Sequence, residues 1–317
     1  RPRPQGAKGQ DDFMPICQTE VNRLIAGRAR LGELAALFSP GAEAPTPLSP
    51  RARRVLRERL FAEKPLEALR RVWRAARMVV PRDGLGGCLR ATEFMLREKS
   101  IGADGLPDPA RALTTPDGLC GVADELSAAT VMDAYERGLF PSGHLGPMKW
   151  WSPSSRAIVA PRTLLARLGG ANGEVRISFD QDFEAALCEA DGAQPTPPRL
   201  KWAFAALFDA GFAHSFDISL KSGERVGGGY GVAVGRVFVI EALHFRDAAT
   251  RAAGLAAMAQ ALEARGFQWI DAKRLTAELA ADGFDGAPRM EYLARLKQAL
   301  AVEQVGAWSA PALDRAA

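Results

Sequence analysis

The sequence predicts an α+β protein: a mixed sheet flanked by helices, preceded by a small α+β domain and a helical N-terminal extension. Three observations predict it. Between Trp202 and Asp271 a helical stretch gives way to three adjoining strands in AHSFDISLKSGERVGGGYGVAVGRVFVIEALHFR, then to a second helix and a last strand, FQWID. Ser222-Gly223 and Gly235-Arg236 punctuate runs rich in Val, Ile, Phe and Tyr, as short hairpin loops do. Near the N-terminus a Pro-rich linker, SPGAEAPTPLSP, separates one helical stretch from a strongly basic one.

The elements follow in order. Residues 1–13, polar and rich in Pro, Gly and charge, are expected to be disordered, and residues 18–38 to form one helix. Residues 51–78 read as an amphipathic helix pair with Leu56, Leu60, Leu66, Leu69 and Trp73 inward. A short helix is expected over 86–98 and a boundary near 100–110. The extension then covers 1–105, the small domain 106–170, the main domain 171–305 and a tail 306–317. Within the small domain, Ser127 starts a helix that stops at Gly-Leu-Phe-Pro, ahead of Lys149-Trp150-Trp151-Ser152-Pro153. Leu255, Met258 and Leu262 fall at helical spacing, so residues 247–265 should form a helix with one apolar stripe, ending at Gly266.

Chemistry gathers at the end of this pattern. Glu241 and Asp271 each close one of the last two strands, which can bring two carboxylates to one cleft. The run Gly227, Gly228, Gly229 and Gly231 has neither the following helix nor the Lys-Ser/Thr pair of a phosphate-cradling loop. Glycines there read instead as a bulge or a close approach of backbones.

Composition narrows the field. With 317 residues, 47% of them hydrophobic, the chain can bury a large core. It has no apolar run of about 18 residues, and RPRPQGAKGQDDF lacks the apolar segment of a secretory signal, so a cytoplasmic protein without a membrane partner is expected. Cys17, Cys88, Cys120 and Cys188 are widely spaced, and His144, His214 and His244 lack ligand spacing, so no metal is predicted. The net charge of +4 is uneven: residues 51–77 carry +7 and the remainder −3. That basic stripe suits contact with phosphates, or is the solvated face of its helix pair.

The order of motifs is identified as that of a family. PDGL at 116–119, AYERGLFP at 134–141, WWSPSSR at 150–156, GFAHSF at 211–216, VGGGYGV at 226–232, Glu241, Arg246, IDAK at 270–273 and PRMEYL at 288–293 resemble the leucyl/phenylalanyl-tRNA–protein transferase family, over about residues 106–300. The resemblance implies an acetyltransferase-like catalytic domain behind a small N-terminal domain. Its reaction moves Leu, Phe or Met from aminoacyl-tRNA to the N-terminal Arg or Lys of an acceptor protein, marking it for degradation, with no cofactor. An amine attacks an activated ester, so both partners must be positioned, the amine deprotonated and the oxyanion stabilised.

Residue by residue, Asp271 and Glu241 match the family's two site acids, and the implied roles are orienting or deprotonating the acceptor amine and holding an amino group. Lys273 stands where the family has Gln, a cation able to pair with Asp271. Gly229, Leu243, Leu255, Met258, Leu262 and Ile270 fall where the family builds its aminoacyl pocket, and Gly229 replaces a bulkier residue, which implies a roomier one. The motifs add Tyr135, Trp150, Trp151 and Arg156, then His214, Ser215, Tyr230 and Arg246, as substrate-binding positions. Plain core packing for the stripe, and capping of a helix near Arg274 for Asp271, are the structural alternatives. If Asp271 is catalytic, Asp271→Ala abolishes transfer and leaves the fold.

The chain also departs from the family. Ser142 and Pro195 replace two Trp that support the terminal adenosine, and a lost stacking platform costs about 1–3 kcal/mol per base. Ala249-Thr250-Arg251-Ala252 replaces an Asn-Ala-Ser-Lys element, which leaves Lys273 or Arg251 to meet a phosphate or ribose. Three readings stay open: the family's own transfer, transfer to another amine acceptor, and an inactive module that binds tRNA or peptide.

Overall fold

The computed structural model describes residues 50–63, 68, 69, 73, 105–143, 148–170, 173–189, 196–301 and 308, all within the unit Pro50–Ala317. The expectations for residues 1–13, 18–38 and 86–98, and for Cys17, Leu66, Cys88, His144 and Pro195, lie outside the described residues. In chain order the elements are α1 (Pro50–Leu60), β1 (Leu119–Val122), α2 (Ala128–Glu136), β2 (Phe140–Ser142), β3 (Lys149–Trp151), β4 (Ser155–Val159) and α3 (Pro161–Arg167). They continue as β5 (Val175–Phe179), α4 (Phe183–Glu189), α5 (Pro198–Asp209), β6 (Ala213–Leu220), β7 (Arg225–Val234), β8 (Val237–Phe245) and α6 (Ala248–Ala264). The last are β9 (Trp269–Arg274), α7 (Ala277–Ala281), β10 (Asp285–Pro288) and α8 (Arg289–Ala299).

Seven strands form one mixed sheet in the order β10-β4-β9-β8-β7-β6-β5, and β1, β3 and β2 form a small antiparallel one. The expected mixed sheet flanked by helices is therefore present. The turns at Gly223 and Gly235 hold β6, β7 and β8 in an antiparallel meander, both glycines having the positive φ that tight turns need. Helix α6 then crosses over to β9, and β8–β9 is parallel. Asp247 caps α6 by accepting from Thr250 N–H at 2.8 Å, while Thr250 Oγ1 accepts from the Asp247 N–H at 3.2 Å. Thr250 of the divergent four-residue element is thus a reciprocal cap.

Alternating side chains divide the core between the faces of the sheet. Val237 and Val239 join one cluster with Tyr135, Phe204, Tyr230, Tyr292 and Leu296, against α2, α4, α5 and α8. Phe238 and Ile240 join the other with Leu255, Met258, Leu262 and Ile270, against α3 and α6. Helix α6 is buried more widely than one stripe, its Gly254, Ala256, Ala257, Ala259 and Ala261 being buried too. Small side chains let it lie close to both the sheet and α3.

Two expectations change here. The strand β4, assigned by sequence to the small domain 106–170, is hydrogen-bonded between β10 and β9 inside the large sheet, so the chain enters that sheet at Ser155. Leu69 and Trp73, expected inward, are 64% and 58% exposed. Helix α1 is held by other contacts: Arg57 is buried and donates to Glu184 on α4 at 2.8 Å and to Asp209 on α5 at 2.5 and 2.9 Å, while Phe61 packs edge-on against Trp202.

Candidate active site

Where the parallel ladder stops, the site begins. β8 and β9 pair through Val237↔Trp269, Phe238↔Ile270 and Val239↔Asp271, and both strands run on past that point. A bulge lies beside the break: Tyr230 faces Ala242 and Gly231 faces Ile240, which leaves Glu241 as the extra residue of β8. A bulge re-aims the side chain it carries. The two acids are therefore mid-strand, and what ends beside them is the hydrogen-bonded ladder.

Asp271 is fully buried and accepts from Arg156 Nε at 3.0 and 2.9 Å, with Arg156 Nη2 2.8 Å from its Oδ2. Arg156 is 1% exposed, donates through Nη1 to Gly138 O at 3.3 Å, and has its guanidinium over the Phe140 and Tyr292 rings at 4.9 and 4.5 Å. Burial would lower the Arg156 pKa, but the charge and hydrogen bonds of Asp271, together with the Tyr292 and Tyr135 phenols, outweigh it and hold the guanidinium above its ordinary range. Burial also pushes the Tyr292 phenol up, against the pull of Arg156.

Glu241, its side chain 4% exposed, accepts from Tyr135 OH at 2.7 Å and from Lys273 Nζ at 2.9 Å. Lys273 Nζ also donates to the Glu241 carbonyl at 3.2 Å, bridging the strands where the ladder has ended, and lies 5.5 Å from the Phe140 ring centroid. The Lys273 N–H donates to Asp271 Oδ1 at 2.7 Å. That joins the two ion pairs into one network. Lys273 adopts a φ of +64°, a conformation costly for a side-chain-bearing residue and concentrated at functional sites. Burial, with Glu241 alongside, holds the Tyr135 phenol well above its usual range.

Several expectations are corrected by this geometry. The Lys273 ammonium pairs with Glu241 rather than with Asp271, because its backbone already bonds to Asp271 and its side chain points across the notch. Asp271 caps no helix: α7 is capped by Thr276, which accepts from Leu279 N–H. Arg251 is engaged by Asp282 at 2.6 Å and Glu278 at 3.1 Å, so it is not poised for a phosphate. No extra room exists at Gly229, where an added Cβ would stand 2.0 Å from the Ala242 carbonyl oxygen. The glycines of β7 thus allow close approach of backbones.

The other predicted residues separate into five groups. Tyr135 and Arg156 join the acids. Trp150 and Tyr230 pack in the core on the same face, while the Trp151 indole N–H donates to Ser142 O at 3.0 Å. Leu255, Met258, Leu262 and Ile270 lie on the opposite face, with Leu243 half-buried at the edge of their cluster. His214 and Ser215 are buried at Asp180, which accepts from the Ser215 N–H and lies 2.8 Å from His214 Nδ1, and Trp308 stacks on His214. Arg246 sits on the surface with Glu224 and Asp247. Phe140 and Tyr292 were missed as site residues, although each lies inside a recognised motif.

Among the described residues no group of three or more His, Cys, Asp and Glu is arranged to hold a metal ion. Residues 159–297 match the family model of leucyl/phenylalanyl-tRNA protein transferase, and residues 124–154 that of its N-terminal domain. A protein named leucyl/phenylalanyl-tRNA–protein transferase from Thiobacillus denitrificans is 34% identical over 227 residues, covering 68% of this chain and 99% of that one. Its namesake from Nitrosospira multiformis is 35% identical over 210 residues, 62% of this chain and 90% of the relative. The Azotobacter vinelandii protein of that name is 34% identical over 216 residues, 64% and 95% of the two chains. A sequence that aligns with nearly the whole of such a relative, and folds several of the quoted motifs around one buried network, belongs to the leucyl/phenylalanyl-tRNA–protein transferase family.

Proposed function

We propose that this chain is an aminoacyltransferase that moves an apolar aminoacyl group, Leu or Phe, from tRNA to the N-terminal amine of a protein in the cytoplasm. The observation that carries the reading is the notch beyond Val239 and Asp271, built by the family's motif residues and crossed by Lys273. The amine nitrogen attacks the ester carbonyl carbon, the new C–N bond forms, the C–O bond to the ribose breaks, and the proton lost by the amine goes to the departing oxygen. A group that must be held in register for this needs rigid neighbours. Asp271 is such a support: enclosed by Arg156, it fixes β9 beside the notch.

Lys273, with its side chain 20% exposed, is the member of the network nearest solvent. In this reading its ammonium donates to the developing oxyanion while held by Glu241, which Tyr135 holds in turn. Saturation of both acids by Arg156 and Lys273 also suits a module that binds charged tRNA without transfer. Incubation with labelled Phe-tRNA or Leu-tRNA and a peptide beginning with Arg decides between them. Labelled peptide is expected; tRNA bound with no label on the peptide favours the binding module, and the absence of both transfer and binding overturns both readings.

A further inference from the structure

Neither acid of the site is open to an incoming cation. Asp271 is fully buried and taken by Arg156. Glu241 has one oxygen bonded to Tyr135 and the other to the Lys273 ammonium, and its side chain is almost wholly enclosed. The four charges, Arg156 and Lys273 against Asp271 and Glu241, sum to zero. An ammonium brought to Glu241 must therefore displace Lys273 or stand beside a like charge. Displacement gains little: a charge-assisted bond of one ammonium is exchanged for that of another, and the resident one is held next to its partner by the chain itself.

On this basis, and resting on the aminoacyl-transfer reading above, we propose that Lys273 is a specificity-determining residue that occupies Glu241 in place of the donor's α-ammonium, so that the site takes aminoacyl groups with free and with blocked α-amines alike. Lys273 is suited to this role by position as well as charge. It reaches Glu241 across the gap where backbone pairing has ended, with its ammonium over Phe140. Substituting Lys273→Gln removes the charge but keeps the N–H that Asp271 accepts. Glu241 is then a buried carboxylate without a cation, and a free α-ammonium becomes its natural partner, with the strength of a hydrogen bond between charged groups.

The test is competition binding to the full chain of phenylalanyl-tRNA and N-acetyl-phenylalanyl-tRNA, both with a 3′-amide link that blocks transfer, and of uncharged tRNA. The wild type is expected to bind the two charged forms within about threefold of each other, and each more tightly than uncharged tRNA. Lys273→Gln is expected to prefer the free amine by about tenfold or more, the factor a charge-assisted hydrogen bond supplies. A wild type that prefers the free amine tenfold overturns the proposal, as does a folded Lys273→Gln protein with no preference. The wild-type comparison decides alone if the variant does not fold. Equal binding of charged and uncharged tRNA overturns the aminoacyl reading itself, and the proposal with it.

Discussion

Arg156 and Asp271 meet across 115 positions of sequence with almost no contact with water. Removing one partner of such a pair leaves the other charged, buried and unpaired, which costs about 3–5 kcal/mol. Asp271→Ala is thus expected to lower the free energy of unfolding by about that amount, measured by urea titration, instead of leaving the fold intact as the sequence alone suggested. Arg156→Met combined with Asp271→Leu should recover much of the loss, because two apolar side chains of similar volume need no compensation. Intact stability in Asp271→Ala would make the pair dispensable for folding and restore Asp271 as a free acid. Both acids were legible in the sequence, since each follows an apolar strand run. Arg156, Tyr135 and Lys273 were named with them from the motifs, but how they pair was not legible: Arg156 sits on β4, and no local pattern reports that β4 lies beside β9.

At the scale of elements, strands and turns were the legible part. The meander and α6 follow alternation, turn glycines and helical period, all of which act within about 20 residues. What escaped was set by pairing over longer distance: the insertion of β4 into the large sheet, the Glu241 bulge, and the placing of the acids on the face opposite Leu255, Met258 and Leu262. One cluster that ties α4 to β6, β7 and β8 carries a pH signature. Burial would raise the Glu189 pKa, but hydrogen bonds from His244 and Arg225 outweigh it and bring it from 4.5 to about 2. A depressed acid stabilises the fold above its unfolded pKa and loses that contribution as pH falls, here from about 4.5 toward 2. Asp217 of the same cluster, raised by burial, works in the opposite sense. The difference between wild type and Glu189→Gln isolates the first effect: over that pH range the variant should lose stability less steeply. The size of the difference will be reduced by the exposure of the pair, Arg225 and Glu189 being 31% and 27% exposed. Parallel acid limbs for the two proteins would remove Glu189 from the account.

For the molecule as a whole, the described arginines of the basic stripe, all on α1, fall into two populations. Arg57 and Arg53 turn inward to Glu184 and Asp209 and serve as docking residues, while Arg51, Arg54 and Arg59 on the same helix are exposed. The sequence showed the charge but could not divide it, because inward and outward arginines differ only in what the folded sheet brings against them. The two groups should separate by experiment. Arg57→Met leaves the buried Glu184 with only the longer contact to Arg53, at 3.7 Å, and is expected to cost about 3 kcal/mol of stability, measured by denaturant titration. Replacing Arg51 and Arg59 by Gln changes surface charge alone, so stability should stay within about 0.5 kcal/mol. If those two side chains meet tRNA phosphates, each contact releases counterions, and the slope of log affinity against log salt should become shallower by about 0.7–0.9 per arginine. A slope that does not move while Arg57→Met still destabilises would make α1 a packing element only, and tRNA affinity would then have to come from the surface around the notch.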